Sequence, residues 1–377
     1  MAYQSGILRS YSNTEPHKRS VTDRIIMADP MSIAMINVLG LDNGSKFSFV
    51  NTPGTKYEWL QDTYVGRSTT VNDATSLTSA TSATQFTVTT GALFQIGDVI
   101  QIDDEYMWVS AISTNTLTVT RAVAGTQATH ANSVAVYVRS RARLEGADAS
   151  DSPSVEVTTG YNYSQIFQKT IEVARSNAKL TNYGISNQVE REIDKSMDEL
   201  MMLLALLPYH GYRSAGSATT PRAAGGLSTF ISTNPSDLSS AAITQKAIED
   251  EIQQCWDAGG NPNLIVCGAW VKRKIADMFS GYVRTDIDET RGGITIDRIL
   301  SPIGLELDIL VDRHCPTDEV YFLDTDYVGY VTFDPFFEES LGKVGDTEYY
   351  GQIVGEYGLV VAYETAHSIL TSVSTSL

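Results

Sequence analysis

The sequence is poor in cysteine, in basic charge and in long apolar runs, and each shortage excludes something. Three cysteines, Cys255, Cys267 and Cys315, are scattered through 377 residues. An odd, sparse set cannot staple a disulfide framework, so the chain reads as a protein of a reducing compartment. Its 27 basic residues stand against 45 acidic ones, a net charge of −18. Gripping nucleic acid without regard to sequence takes a surplus of Lys and Arg, which argues against a dedicated DNA-binding protein. The longest apolar run, around Met201–Leu207, is a fraction of the ~20 residues that cross a bilayer. Residues 1–23 are polar throughout, with no apolar signal core. The expectation is a soluble protein made in a cytoplasm, with no membrane partner.

Catalytic signatures are missing too. There is no Gly-x-Gly-x-x-Gly turn, no Gly-x-Ser-x-Gly elbow, no phosphate loop and no His-Glu-x-x-His helix. The five histidines (His17, His130, His210, His314, His367) are dispersed. His314 beside Cys315 has no partner pair at metal spacing and reads as a surface histidine after a strand. Asp286, Asp288, Thr290 and Asp297 echo a calcium loop, but Arg291 stands where that loop needs glycine. Asp103, Asp104 and Glu105 form an acidic turn, read as solvated rather than as a calcium site. Trp59, Trp108, Trp256 and Trp270 lie in apolar patterns and read as core. No catalytic residue, cofactor or metal is assigned.

What is present is enough apolar material for sizeable cores: 42% of residues, against 19% charged. The first 24 residues carry four basic and two acidic groups, net +2. The remaining 353 carry 23 and 43, net −20. That opposite sign marks an arm able to dock on a neighbour or lie near polyanion. A short helix is expected after Pro30, then extended segments at Lys46–Asn51 and Thr55–Tyr64. From Ser68 to Val138 the composition shifts to Ser, Thr, Ala and Val in period-two alternation. Phe86/Val88, Val99/Ile100/Ile102, Met107/Val109, Leu117/Val119 and Val134/Val136/Val138 read as five strands of a small sandwich or barrel. It has the look of an insertion.

The clearest helix follows, with Ile185, Val189, Ile193, Met197, Leu200, Leu204 and Leu207 on one stripe. Asn187 and Glu190 resemble a capping box, and Pro208 is expected to end the run. A helix from Thr244 with Ile248, Ile252 and Trp256 on one face comes next. The strand Leu264–Cys267 and a helix over Trp270–Phe279 follow. The strands Leu305–Val311, Val320–Leu323, Val328–Phe333, Tyr349–Val354 and Leu359–Ile369 complete an α+β second half with a mixed or antiparallel sheet.

Three blocks carry a family likeness: TKYEWLQDTY at 55–64; LEGADA with YNYSQIFQKTIEVAR between 143 and 207; and PIGLELDILVDR, FLD, KVGD and GEYGLVVAYETAHS between 303 and 368. The most specific string is Asn162, Tyr163, Gln165, Ile166 and Phe167. In these blocks and their order the chain resembles the HK97-type major capsid proteins of tailed bacteriophages, in particular the SU10-type branch. The resemblance implies an HK97-like α+β fold with an N-terminal arm (1–40) and an extended loop (41–67 and 139–165). It further implies a peripheral domain with a spine helix (166–239 and 331–377) and an axial domain (240–330). The β module at 68–138 replaces a short loop tip and is expected on the outer face of a shell or bridging subunits.

The implied function is a subunit that self-assembles into hexamers and pentamers of an icosahedral head enclosing double-stranded DNA. The implied partners are other copies, a separate scaffold protein, a portal, cement proteins and DNA contacted non-specifically. The implied location is the virion head, assembled in the host bacterial cytoplasm. Expected inter-subunit contacts are Arg9, Lys18, Arg19 and Arg24 in the arm, with Trp59, Arg139, Arg141, Arg143 and Glu145 in the loop. The rival readings are an adhesin or tail-fibre subunit whose β module binds carbohydrate, and an enzyme with an unrecognised site.

Overall fold

A computed structural model describes residues 31–41, 52, 54–79, 81–146, 154–180, 185–278, 283–286, 296–342 and 345–375. The arm residues Arg9, Lys18, Arg19 and Arg24 and the segment Lys46–Asn51 lie outside the described residues. The chain divides into two compact units. Among the described residues, one is formed by those up to Trp59 together with those from Gly160 on, the other by those of Leu60–Thr159.

The first unit is organised by a seven-stranded mixed sheet. In spatial order its strands are Pro235–Asp237, Ser368–Thr371, Val320–Leu323, Leu264–Cys267, Glu306–Val311, Ile296–Leu300 and Val283–Asp286. Leu264–Cys267 is buried along its whole length, parallel to Glu306–Val311 on one side and antiparallel to Val320–Leu323 on the other. Alternation along it feeds two cores. Leu264 and Val266 join Leu310, Tyr321, Leu323 and the long helix on one face. Ile265 and Cys267 join Ile309, Phe322 and the helices Gln245–Asp257 and Ala269–Met278 on the other. A strand buried on both faces reads as a continuous apolar run, which LIVC does.

A second, three-stranded sheet pairs Val328–Ser340 with Thr347–Val361, and the latter with Gln165–Ala174, all antiparallel. The long helix Gln188–His210 packs on it through Leu200, Leu204 and Leu207. The Asn187 side chain caps that helix, accepting from the amides of Val189 (3.0 Å) and Glu190 (3.5 Å).

The second unit is a small β-barrel. Six antiparallel strands run in the order Ser68–Thr70, Ala135–Arg141, Asp98–Ile102, Glu105–Ser113, Thr116–Ala124 and Gln85–Thr87. The two edge strands then meet. Val71 bridges Val88, and the Thr89 and Asn72 amides donate to Thr70 O (3.0 Å) and Thr87 O (2.9 Å). Closure removes the exposed edges that a six-stranded sheet would otherwise present. Inward residues (Phe86, Ile100, Ile102, Met107, Val109, Leu117, Val119, Val136) fill the interior.

Four expectations are corrected. Pro208 does not end the long helix, which runs on to His210; a proline in the last turn forfeits one hydrogen bond and the packing of Leu207 and Tyr209 outweighs it. Trp256 is half exposed, and Cys255 takes the buried place after Ile252, because positions three and four residues on share a helix face. The two strands expected at Tyr349–Val354 and Leu359–Ile369 are drawn differently: Thr347–Val361 is one strand of the smaller sheet, and Ser368–Thr371 is a strand of the larger one.

The acidic turn, finally, is not all solvated. Glu105 is buried, accepts from Arg121 Nε (2.9 Å) and Nη2 (2.6 Å), and lies 3.0 Å from His130 Nε2. The other ring nitrogen of His130 lies 2.8 Å from Asp103. Burial alone would raise the Glu105 carboxyl, but the bonds from Arg121, His130 and the Ala128 amide outweigh it and hold it at about 2.

The first unit carries a counterpart. Buried His367 accepts from the Asp324 amide at Nδ1 (3.2 Å) and faces Ala362 O at Nε2 (3.2 Å). Burial pushes it down to about 4, against its ordinary 6.5. An unfolded chain therefore takes up the His367 proton first, and this contribution to stability falls as pH drops from about 6.5 to 4. The Glu105 contribution, whole above its ordinary 4.5, is lost only as pH falls toward 2. Calorimetry at stepped pH should show the first unit weakening at milder acidity than the barrel. Glu105→Gln should cost the barrel about 3–5 kcal/mol at neutral pH by stranding Arg121, and should erase its own acid step. In the first unit, Leu204→Ala should cost about 2–5 kcal/mol by opening a cavity under the long helix, read by chemical denaturation.

Candidate subunit-contact elements

Residues 60–159 leave and re-enter the first unit through two strands, Lys56–Gln61 and Thr158–Tyr163, which pair with each other. Their roots are pinned from three directions. Alternation in the first strand turns Tyr57 and Trp59 inward, while Lys56, Glu58 and Leu60 face out. Trp59 packs against Phe230, ring centroids 5.8 Å apart, in a cluster with Val331, Val360 and Ala362. A β-carbon at Gly160 would sit 2.4 Å from the Trp59 indole, so only glycine lets the two strands lie this close. The Tyr57 hydroxyl donates to Leu359 O (2.9 Å).

Asn162 is the polar centre of this anchor. Its amide donates to Leu359 O (2.7 Å) and Gly225 O (3.1 Å), while its oxygen accepts from the amides of Gly225 (2.9 Å) and Tyr163 (2.8 Å). A fully buried carboxamide with all its hydrogen-bonding capacity used in this way holds three chain segments in one arrangement. Two residues on, the Ser164 amide donates to Thr55 O (2.9 Å) and its hydroxyl contacts Glu356 (2.5 Å). Glu356 also pairs with Arg222, whose Nε donates to Ser164 O (2.7 Å).

Trp59 is thus corrected: it is buried in its own chain and offers no surface to another copy. Of the other residues expected in the loop, Arg139 and Arg141 lie in the barrel strand Ala135–Arg141, and Arg143 and Glu145 follow it. Arg139, Arg141, Arg143 and Glu145 are all exposed. Arg139 donates to Gln101 Oε1 (2.7 Å) and lies over the Tyr137 ring. Arg141 Nε donates to Asp98 Oδ1 (2.6 Å), and Asp98 is wholly buried, so Arg141 is a counter-ion as well as a surface group. A groove of about 550 Å³ brings Arg139 and Arg141 beside Arg67, which the sequence reading passed over, with Asp98, Leu93 and Tyr64. Register finds Arg67 in hindsight, since its carbonyl accepts from the Val138 amide (2.8 Å) one residue from Arg139. Tyr64, which lines the groove, is almost completely exposed, and Leu60, Leu144 and Val157 in the flanking segments also expose large apolar side chains.

All three cysteines are buried, and burial pushes the Cys255 and Cys267 thiols up to about 12. Among the described residues no group of three His, Cys, Asp or Glu is placed to hold a metal ion, and no helix is long and apolar enough to cross a membrane.

Solved structures to which the chain is similar include capsids of phages and of a GTA particle. The chain is similar to the capsid asymmetric unit of cyanophage A-1(L), with TM-score 0.54 and 12% identity over 97% of this chain and 100% of the other. It is similar to the capsid of the native GTA particle, with TM-score 0.53 and 7% identity over 98% and 100%. The capsid of Myoviridae phage XM1 gives TM-score 0.50 and 11% identity over 98% and 100%. No curated protein matches the sequence. The sequence model of the SU10 major capsid protein family, however, matches residues 5–374. The chain belongs to the SU10 major capsid protein family, and its fold is the α+β, HK97-like fold of phage shells.

Proposed function

We propose that copies of this chain, as the subunit of a virion shell, form rings of six and five that close into an icosahedral head around double-stranded DNA. The observation that carries this is the family match across nearly the whole chain, on a fold shared with complete capsid subunits. The physics fits. A shell subunit needs a rigid wedge and an adaptable excursion; here two cores share one sheet, and an anchored pair of strands launches about a hundred residues. Repeated heterologous contacts that close on themselves generate such rings. A separate scaffold protein, a portal and cement proteins complete the assembly, which takes place in the host bacterial cytoplasm. Net negative charge keeps contact with packaged DNA weak and non-specific. The adhesin alternative has no support in the family or the fold.

Expression of the chain with and without its scaffold, followed by negative-stain imaging, tests the reading. Closed shells or rings of five and six are expected; a monomer under every condition would refute it. Arg139→Glu should leave the fold intact, since Arg139 holds only Gln101 and the Tyr137 face, and should cut particle yield on the order of tenfold. Arg141→Glu is a different experiment. It strands buried Asp98 and should destabilise the barrel by about 3 kcal/mol whether or not shells form.

A further inference from the structure

The barrel is electrically polarised along its own strands. Within residues 60–159 there are five arginines: Arg67, Arg121, Arg139, Arg141 and Arg143. Arg121 is consumed internally by Glu105. The other four gather where Asp98 pairs with Arg141 in the register of the two neighbouring strands. The opposite end of the Asp98–Ile102 strand turns in two residues, Asp103 and Asp104, with Asp103 at φ 50° and Glu105 already paired back to Ile102. Both aspartates of that tip are exposed. Four residue steps separate the poles, about 14 Å. That exceeds the ~8 Å over which charges feel each other at physiological salt, so the two ends do not neutralise one another.

The basic pole is also concave. Arg67, Arg139 and Arg141 face the groove, which carries one buried carboxylate, Asp98, already satisfied by Arg141 and by the Gln95 amide (2.7 Å). Arg67 is exposed, and its guanidinium has no hydrogen-bond or ion-pair partner among the described residues. Four arginines there face Asp98 and, in the flanking segments, the exposed Asp62, Glu145 and Glu156, so the groove itself, lined by three arginines and one carboxylate, keeps a positive surplus in a protein of net −18.

We propose that the arginine groove of one barrel receives the Asp103–Asp104 tip of the barrel in a neighbouring copy. A tip and a groove at opposite ends of one strand cannot meet within one chain, so the contact needs a second copy. It is heterologous, as the contacts of a closed shell are. The narrow two-residue tip suits a groove of about 550 Å³, and Leu93 and the exposed Tyr64 ring supply apolar walls that limit screening by salt. Complementary charge of this kind fixes register and partner choice. The inference rests on the shell reading above and adds a contact to it.

The test is a charge exchange in the full chain. Arg67→Glu and Asp104→Lys avoid the buried pairs of Arg141 and Asp103. Each alone sets like charges together and should reduce assembled particles, counted by negative stain and sedimentation velocity, about tenfold. Carried in the same chain, the two should restore yield to within about twofold of the parent, because the exchanged charges again attract across the contact while the unchanged groups on each side stay as they were. Parent yield should also fall as salt rises. If neither single variant changes yield while the parent forms shells, the contact does not exist, although the shell reading stands. If Arg67→Glu lowers yield and Asp104→Lys fails to rescue it, the groove serves another occupant, such as a cement protein or a polyanion, and the proposal is wrong. A parent that never assembles refutes both readings. Calorimetry of the single variants separates these results from misfolding, since both residues are exposed and the barrel transition should not move.

Discussion

Everything distinctive in this chain depends on closing one loop. About a hundred residues leave the first unit after Trp59 and return at Gly160. Closing a loop of that length costs conformational entropy, and the contacts at its root must outweigh that cost. Asn162 does this with four hydrogen bonds in a dry environment, where leaving any one unmade costs about 1–3 kcal/mol. Its partners, Gly225 and Leu359, come from a distant loop and from the longest strand. Without the carboxamide the return strand would have neither a register nor a fixed depth. Trp59 over Gly160 and Tyr57 on Leu359 supply the apolar half of the same closure.

That anchoring explains how one subunit can be stiff and adaptable. The larger sheet serves two cores at once, so its strands cannot shift toward one face without opening a gap in the other. The barrel has its own closed core and needs nothing from the rest of the chain to bury its apolar residues. The described segments between root and barrel belong to none of these cores. Tyr64, Leu144 and Val157 sit in these segments with large apolar surfaces facing outward, an arrangement a monomer has no use for.

Much of this was readable in the residues, and the misreadings have a common cause. Alternation located the barrel strands, and the three-and-four spacing located the long helix, because each periodicity reports which face meets a core. The parity rule held a further signal that went unused. Glu105 is in phase with inward Met107 and Val109, and Arg121 with inward Leu117 and Val119. A carboxylate and a guanidinium on the inner faces of adjacent strands announce a buried pair. Composition masked it, since three consecutive acids look like a solvated turn. His130, by contrast, comes from a loop without periodicity, and nothing local foretells its place between two carboxylates. Asn162 stood inside the most recognisable string of the family, yet its partners lie 63 and 197 residues away, beyond the reach of any local rule. Trp256 was lost to degeneracy: three and four residues beyond Ile252 share a helix face, and only the volume left by the packed neighbours decides between them.

The charge imbalance also takes on a structural meaning. A net charge of −18 per subunit, multiplied over a shell, opposes assembly through self-repulsion. Dispersing the few arginines evenly would leave every contact repulsive. Concentrating four of the barrel's five at one end, one of them tied to a buried carboxylate, creates a local surplus on an acidic surface. At physiological salt only that local sign is felt by an approaching neighbour, because charges more than ~8 Å away are screened. An acidic protein with such a pole can, on the proposed contact, accept a correctly placed neighbour at one point while the rest of its surface stays negative. Apolar groups beside that point then provide the area that charge alone does not.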